Sequence, residues 1–136
     1  MKFSPSVYIH ILWNPSGGSR RVGKLGLVRF EPGFYVYVGS GGVNALARVK
    51  RHLRPDKPRH WHIDYVTTGR GRMNPIDSYI FPRRNECRLA RQLGRRLTVV
   101  RGFGSSDCRC VGHLFFAADL EALLRALEPL TARFRA

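Results

Sequence analysis

The chain has 136 residues, of which 43% are hydrophobic. This composition suits one compact domain with a core of its own and excludes a disordered chain. Lysine and arginine number 24 against 9 aspartate and glutamate residues, so the formal net charge at pH 7 is +15. Such an excess favours a polyanionic partner, nucleic acid above all, because neutralised phosphates release their counterions. An arginine-rich proteome would explain arginine over lysine but not the shortage of acids.

The N-terminal segment lacks the pattern of a secretory signal peptide, because the apolar stretch from Val7 is interrupted by His10 and Asn14. No apolar run is long enough to span a membrane. No basic amphipathic helix dominates the sequence, which disfavours a membrane surface as partner. The 3 cysteines form an odd count that does not suit a disulfide framework. We therefore expect a cytoplasmic protein without membrane association.

The first half of the chain predicts short strands followed by one helix. β-Branched and aromatic residues, bounded by turn residues, indicate strands over 7–13, 20–25, 27–30 and 34–38. A helix over 44–54 follows, with Asn44 as its N-cap and Pro55 as its stop. We expect Leu46, Val49 and Leu53 to form its apolar face.

The second half predicts further strands over 60–66, 76–81 and 111–116, and helices over 85–96 and 120–127. The helix over 85–96 has an inner face of Leu89, Ala90 and Leu93. For the last helix, which Pro129 ends or kinks, the predicted apolar residues are Leu120, Leu123, Leu124 and Leu127.

These elements predict an α+β fold, an α/β sandwich in which helices flank a small mixed or antiparallel sheet. We expect one domain over 1–136, with a core over about 6–117 and a C-terminal amphipathic helix over about 119–134.

Carboxylates are scarce, which limits the metal chemistry available. A two-metal nuclease needs several convergent acids, whereas one Mg²⁺ ion needs few protein ligands because it keeps several waters and also binds substrate phosphate. Glu86 precedes Leu89, Ala90 and Leu93 by 3, 4 and 7 residues, so it lies on the apolar face at the first turn of its helix. The alternative is a charge that merely complements the helix dipole.

Arg48 and His52 are 4 residues apart and lie on one side of the first helix. A guanidinium binds phosphate oxygens and stabilises transition-state charge, and a histidine binds phosphate or moves protons. The alternative is a solvated basic face shared with Lys50, Arg51 and Arg54. Tyr8 and Tyr37 lie on strands, where packing is the alternative to orienting a nucleophile.

Other residues indicate nucleic-acid or zinc binding. His60 and His62 alternate on the predicted strand and either line a groove or pack. Arg51 and Arg88 are further candidate nucleic-acid ligands, and Arg88 belongs to a helical stripe with Arg84, Arg91 and Arg95 that suits either phosphates or solvent. Cys108, Cys110 and His113 are candidate zinc ligands, and Cys87 is a candidate fourth. The alternative there is a buried turn with inert thiols.

The order of these residues resembles the GIY-YIG endonuclease superfamily. Ser6-Val7-Tyr8 is similar to its first triplet and Tyr37-Val38-Gly39 to its second, with Arg48 and Glu86 on later helices. The wider sequence is similar to the Uri-type (DUF123) branch over residues 6–117, through the segments 32–40, 51–54, 60–65, 86–87, 102–110 and 113–115.

The resemblance implies an endonuclease that hydrolyses DNA phosphodiester bonds with one divalent ion, Mg²⁺ or Mn²⁺, bound by Glu86. It implies that Arg48 binds the scissile phosphate, that Tyr8 or Tyr37 helps to generate the attacking hydroxide, and that His52 assists. Relatives in this branch include nucleases that prefer single-stranded DNA. It also implies that 20–30 is an insertion. A non-catalytic nucleic-acid-binding module and a zinc-stabilised interaction domain are the alternatives.

Overall fold

The structure, a computed structural model, describes residues 6–40, 45–59, 61–82, 85–105 and 108–131. The strands are β1 (Ser6–Asn14), β2 (Gly18–Arg21), β3 (Leu27–Phe30), β4 (Gly33–Ser40), β5 (Asn74–Pro82), β6 (Thr98–Val99) and β7 (Leu114–Ala117). The α-helices are α1 (Ala45–His52), α2 (His62–Thr67), α3 (Glu86–Gly94) and α4 (Leu120–Thr131). None of the helices in these ranges combines the length and apolarity needed to cross a membrane.

The main sheet is antiparallel and has the strand order β5-β1-β4-β7-β6. β1 lies between β4 and β5, and its pairing with β4 sets Tyr8 opposite Gly39. β2 and β3 form a separate two-stranded sheet. The predicted α+β architecture is therefore confirmed.

The pleat of β1 divides the core between the two faces of the sheet, because successive side chains of a strand point to opposite sides. Val7, Ile9 and Ile11 pack in one cluster with the apolar residues of α3 and α4. Tyr8 and Leu12 pack in the other cluster, with residues of α1, α2 and the β2–β3 hairpin. The molecule is thus a sandwich with the sheet as its middle layer.

The C-terminal helix buries a different face from the predicted one. Leu123 and Leu127 are buried as expected, but Leu120 and Leu124 are 54% and 56% exposed. Ala126 and Leu130 complete the buried stripe at helical spacing. The helix does not end at Pro129 but continues to Thr131, with this exposed proline inside it.

The segment predicted as a strand over 60–66 forms helix α2 instead. Asp64, the third residue of the helix, accepts a hydrogen bond from the backbone N–H of Trp61 at 2.8 Å, which supports the helix start. Ile63 and Val66, 3 residues apart, are both fully buried. The alternation that predicted a strand over 60–66 therefore comes from the buried side of a short helix.

The β2–β3 hairpin, which overlaps the expected insertion over 20–30, packs on α2. The predicted strand over 20–25 is shorter, because β2 ends at Arg21 and a 3-10 turn covers Gly23–Leu25. The Arg20 guanidinium donates to the carbonyls of Tyr65 and Thr68 at 3.0 Å each, and to that of Arg70. These bonds join the hairpin to the C-terminal end of α2 and to the residues just after it.

The buried face of α4 gives a stability test with two neighbouring leucines. Leu123→Ala should lower the free energy of unfolding by about 2–5 kcal/mol, because it leaves a cavity. Leu124→Ala, the matched control, should change it by less than about 0.5 kcal/mol, because that side chain is exposed. Urea denaturation measures both, and equal losses would contradict the assigned face.

Candidate active site

A buried contact between Tyr8 of β1 and His52 of α1 lies at the centre of the site. The Tyr8 hydroxyl is 2.7 Å from His52 Nε2, and the two residues are 2% and 1% exposed. The predicted apolar face of α1 is therefore wrong in part: Val49 is buried, but Leu46 and Leu53 are more than half exposed. His52, 3 residues after Val49, takes the inward position and is not part of a solvated basic face.

Aromatic rings surround the His52 imidazole and explain its inward position. Its ring centroid lies 5.4 Å from that of Tyr8, 5.1 Å from His10, 6.0 Å from Tyr37 and 5.9 Å from Trp61. The Nδ1 atom of His52 has no hydrogen-bond partner within the described ranges and lies 4.0 Å from a carboxylate oxygen of Asp64. In the neutral tautomer with its hydrogen on Nδ1, the Nδ1–H group would face this carboxylate. The Nε2 atom would then accept a hydrogen bond from the Tyr8 hydroxyl.

Burial controls the protonation of these groups. It lowers the pKa of His52 to about 3, so this ring is neutral at pH 7. Burial also raises the pKa of both Tyr8 and Tyr37, so both phenols keep their protons. Charges at two further positions act on both hydroxyls: Glu86 raises their pKa and Arg48 lowers it. Tyr8 thus contacts His52, and the charges of Arg48 and Glu86 act on the hydroxyls of both tyrosines.

The two arginines of α1 have different surroundings. Arg48 donates to the carbonyl of Ser40 at 2.5 Å, and its guanidinium lies 5.0 Å from the centroid of the Trp61 ring. Arg51 lies 4.6 Å from the same centroid and donates to the buried Asp64 carboxylate at 2.7 Å. Arg48, by contrast, forms no ion pair with any described residue and is partly exposed. Arg48 is thus the one of the two arginines that pairs with no described carboxylate, whereas Arg51 links α1 to α2.

Glu86 is the first residue of α3, and its side chain is 29% exposed. The Asn85 side chain accepts the backbone N–H of Arg88 at 3.0 Å and caps this helix. One Glu86 carboxylate oxygen lies 3.7 Å from Nδ1 of the buried His113. A partly exposed single carboxylate fits an ion such as Mg²⁺, which retains most of its water and needs few protein ligands.

Within the described residues, the remaining predicted nucleic-acid ligands lie on different helices, His62 on α2 and Arg88 on α3. His60 lies outside the described residues, as does Arg84. His62 is on α2 rather than a strand, and its Nδ1 accepts the backbone N–H of Gly104 at 2.8 Å, so the expected pair of histidines on one strand face is wrong. Arg88 and Arg91 are exposed on α3, and Arg95 is exposed just after this helix.

The cysteines and one histidine form a compact group beside Glu86. The ligand atoms of Cys87, Cys108, Cys110 and His113 all lie within 4.8 Å of one another, and no cysteine is in a disulfide. The Cys108 sulfur is 3.4 Å from His113 Nε2. Burial, together with the neighbouring thiols, raises the pKa of Cys110 to about 12. The structure thus brings the three predicted zinc ligands together with Cys87, the candidate fourth ligand.

Three residues of the site were missed in the sequence. Asp64 is fully buried and forms an ion pair with Arg51, and His10 is fully buried beside His52. The ring of Trp61 lies against the guanidinium groups of both arginines of α1. The spacing of Trp61 and Asp64 is that of a helix N-terminus, and this signal was available. His10 had no signal of its own, because an inward-facing histidine on a strand is indistinguishable from an ordinary core position.

The fold and the site define a small α+β domain with a buried tyrosine–histidine contact, on whose hydroxyl the charges of an arginine and a glutamate act. The chain belongs to the family described as "Domain of unknown function DUF123", which matches residues 7–136. No curated protein and no solved structure matches this chain.

Gly39 makes room for Tyr8, which gives a test of the site's packing. A Cβ atom at Gly39 would overlap the Tyr8 ring, whereas one at Gly94 would lie 3.5 Å from Phe115, an ordinary contact. Gly39→Ala should therefore cost about 1–3 kcal/mol of stability. Gly94→Ala, the matched control, should be neutral or stabilising, because alanine favours helix. Urea denaturation measures the stability of both variants, and a Gly39→Ala protein with unchanged stability would refute this packing.

The neutral histidines predict a specific acid sensitivity. Burial lowers the pKa of His52 to about 3 and that of His10 to about 4, against about 6.5 in an unfolded chain. Below pH 6.5 the unfolded state therefore binds more protons, and stability falls by about 1.4 kcal/mol per pH unit for each histidine. Above pH 6.5 both histidines are neutral in the folded and the unfolded state, so their contribution to stability is fully retained.

His52→Gln should remove one histidine's share of this slope between about pH 6 and 4. Chemical denaturation at a series of pH values measures the slope for both proteins. Stability near pH 7, where His52 is neutral in both states, is the internal reference. An identical slope in the variant would mean that His52 is protonated in the folded protein.

Proposed function

We propose that this protein is an endonuclease that hydrolyses DNA phosphodiester bonds with one divalent cation, Mg²⁺ or Mn²⁺. The observation that carries the proposal is the meeting of Tyr8 and His52 at 2.7 Å, with the charges of Arg48 and Glu86 acting on the same hydroxyl. These residues come from β1, α1 and α3. A basic guanidinium, a carboxylate and oriented hydroxyls are the groups that phosphoryl chemistry requires.

Each residue has a role that follows from its surroundings. Arg48, partly exposed and without an ion-pair partner among the described residues, would bind the scissile phosphate and stabilise its added charge. Glu86 would hold the cation, which supplies Lewis-acid activation of water and of the phosphate. Tyr8 and Tyr37 keep their protons and would orient the attacking water by hydrogen bonding. His52, which is neutral, would fix the Tyr8 hydroxyl.

The proposed substrate follows from charge. The net charge of +15 provides a strong, salt-dependent attraction to phosphates. Exposed arginines on α3 and just after it would contact the backbone of the nucleic acid, namely Arg88, Arg91 and Arg95. We propose DNA as the substrate, single-stranded or structured, and cleavage of labelled single-stranded, duplex and branched DNA distinguishes these forms.

A non-catalytic DNA-binding module is the second candidate, and one observation favours it. Tyr8 and Tyr37 are only 2% and 7% exposed, so their hydroxyls have little access to a substrate. Tyrosines on strands commonly serve packing. A binding module would retain the basic surface and the affinity for DNA but would not cleave it.

Glu86→Gln separates the two candidates. With Mg²⁺ or Mn²⁺ the wild-type protein should cut at least one DNA form, and the variant should lose about 100-fold or more in rate while its affinity for DNA remains. Glu121→Gln is the matched control, since Glu121 is exposed on α4 in an ion pair with Arg125. Gel-based cleavage and binding assays measure both quantities. Wild-type protein that binds DNA but cuts none of the forms would establish the binding module.

A further inference from the structure

The cysteine–histidine cluster has the donor set and the spacing of a structural zinc site. In a tetrahedral site, Zn–S bonds of about 2.3 Å and Zn–N bonds of about 2.0–2.1 Å place a sulfur and a nitrogen ligand about 3.6 Å apart. Cys108 Sγ and His113 Nε2 are 3.4 Å apart, and the four ligand atoms all lie within 4.8 Å of one another. Small side-chain rotations would complete the tetrahedron.

Backbone contacts hold the ligand loop in place. The N–H of Gly102 donates to the carbonyl of Val111 at 2.7 Å, and the N–H of His113 donates to the carbonyl of Phe103 at 2.7 Å. Cys87 comes from a different element, the first turn of α3. The cluster therefore joins α3 to the loop before β7, as a structural metal site does when it links distant segments.

The choice of metal follows from the ligands. Three sulfurs and one imidazole nitrogen are soft and borderline donors, which favour Zn²⁺ and disfavour Mg²⁺ or Ca²⁺. Zinc binding would release the thiol protons and leave a centre with one net negative charge. Arg91, Arg95 and Arg109 line the cleft that also contains Cys87 and Cys110, and their positive charges suit such a centre.

The second nitrogen of His113 faces the candidate active site. Its Nδ1 lies 3.3 Å from the carbonyl of Val38 and 3.7 Å from a carboxylate oxygen of Glu86. Metal-bound histidines commonly donate their other N–H to a carbonyl or carboxylate, which fixes both groups. His113 would thus contact the cluster through Nε2 and the Glu86 side chain through Nδ1.

We propose that Cys87, Cys108, Cys110 and His113 bind one structural zinc ion and that His113 is a positioning residue for Glu86. The zinc site stands on the geometry of the cluster alone. The positioning of Glu86 rests on the proposed nuclease function. The two parts therefore need separate readouts.

Metal content tests the zinc site. The full chain, purified without chelator, should contain about one zinc ion per molecule, and Cys108→Ser should lose it. Val111→Ala is the matched control on the same loop, since Val111 is exposed and offers no ligand atom, and it should keep its zinc. Replacement by Co²⁺ should give the visible absorption of a tetrahedral thiolate centre.

The wild-type chain also tests the site without any variant. Chelation should release zinc and make all 3 cysteines reactive toward a thiol reagent, because bound thiolates are protected. A wild-type chain that binds neither Zn²⁺ nor Co²⁺ stoichiometrically would overturn the zinc site. So would a Cys108→Ser protein that folds and keeps full zinc content.

His113→Cys tests the link to Glu86, because it can retain a four-ligand zinc site while removing the imidazole. Zinc content should remain at about one per chain, while the Mg²⁺ concentration for half-maximal cleavage should rise about 10-fold or more. Full zinc with an unchanged Mg²⁺ requirement would refute the positioning role. Wild-type protein that contains zinc but does not cut DNA would refute the nuclease proposal and leave the zinc site standing.

Discussion

The antiparallel pairing of β1 with β4, in the register that sets Tyr8 opposite Gly39, determines where the side chains of the candidate site lie. Because strand side chains alternate between faces, this register sends Val7 and Ile9 toward α3 and α4 and Tyr8 toward α1. Gly39 leaves the space that the Tyr8 ring fills. A shift by one residue would turn the Tyr8 hydroxyl away from His52.

The few carboxylates near the site are used in different ways. Asp64 is fully buried and compensated by Arg51 and the N–H of Trp61, so it organises α1 and α2. Glu86 remains partly exposed at the start of α3, near His113. In a chain of net charge +15, an accessible carboxylate is the group that can concentrate a divalent cation beside bound phosphate. This difference in burial supports separate roles for the two acids.

The sequence predicted the fold class, most strands and the inner face of α3, because these depend on local periodicity. It misassigned 60–66, since a six-residue helix presents too few turns for its period to differ clearly from alternation. The inner faces of α1 and α4 also depend on tertiary contacts. In α1, His52 occupies the buried position in place of two predicted leucines, because aromatic rings and Asp64 lie next to its imidazole. Cys87 was only a candidate fourth ligand in the sequence, because its spacing from Cys108 along the chain does not show that folding brings the two together.

Single-turnover cleavage by Tyr8→Phe tests the central claim most directly. The substitution keeps the buried ring but removes the hydroxyl that contacts His52. If the Tyr8 hydroxyl orients the nucleophile, the rate of the chemical step should fall about 100-fold or more, with folding and DNA affinity unchanged. A variant that cuts DNA at the wild-type rate would contradict the account and leave the Tyr8–His52 contact with a structural role alone.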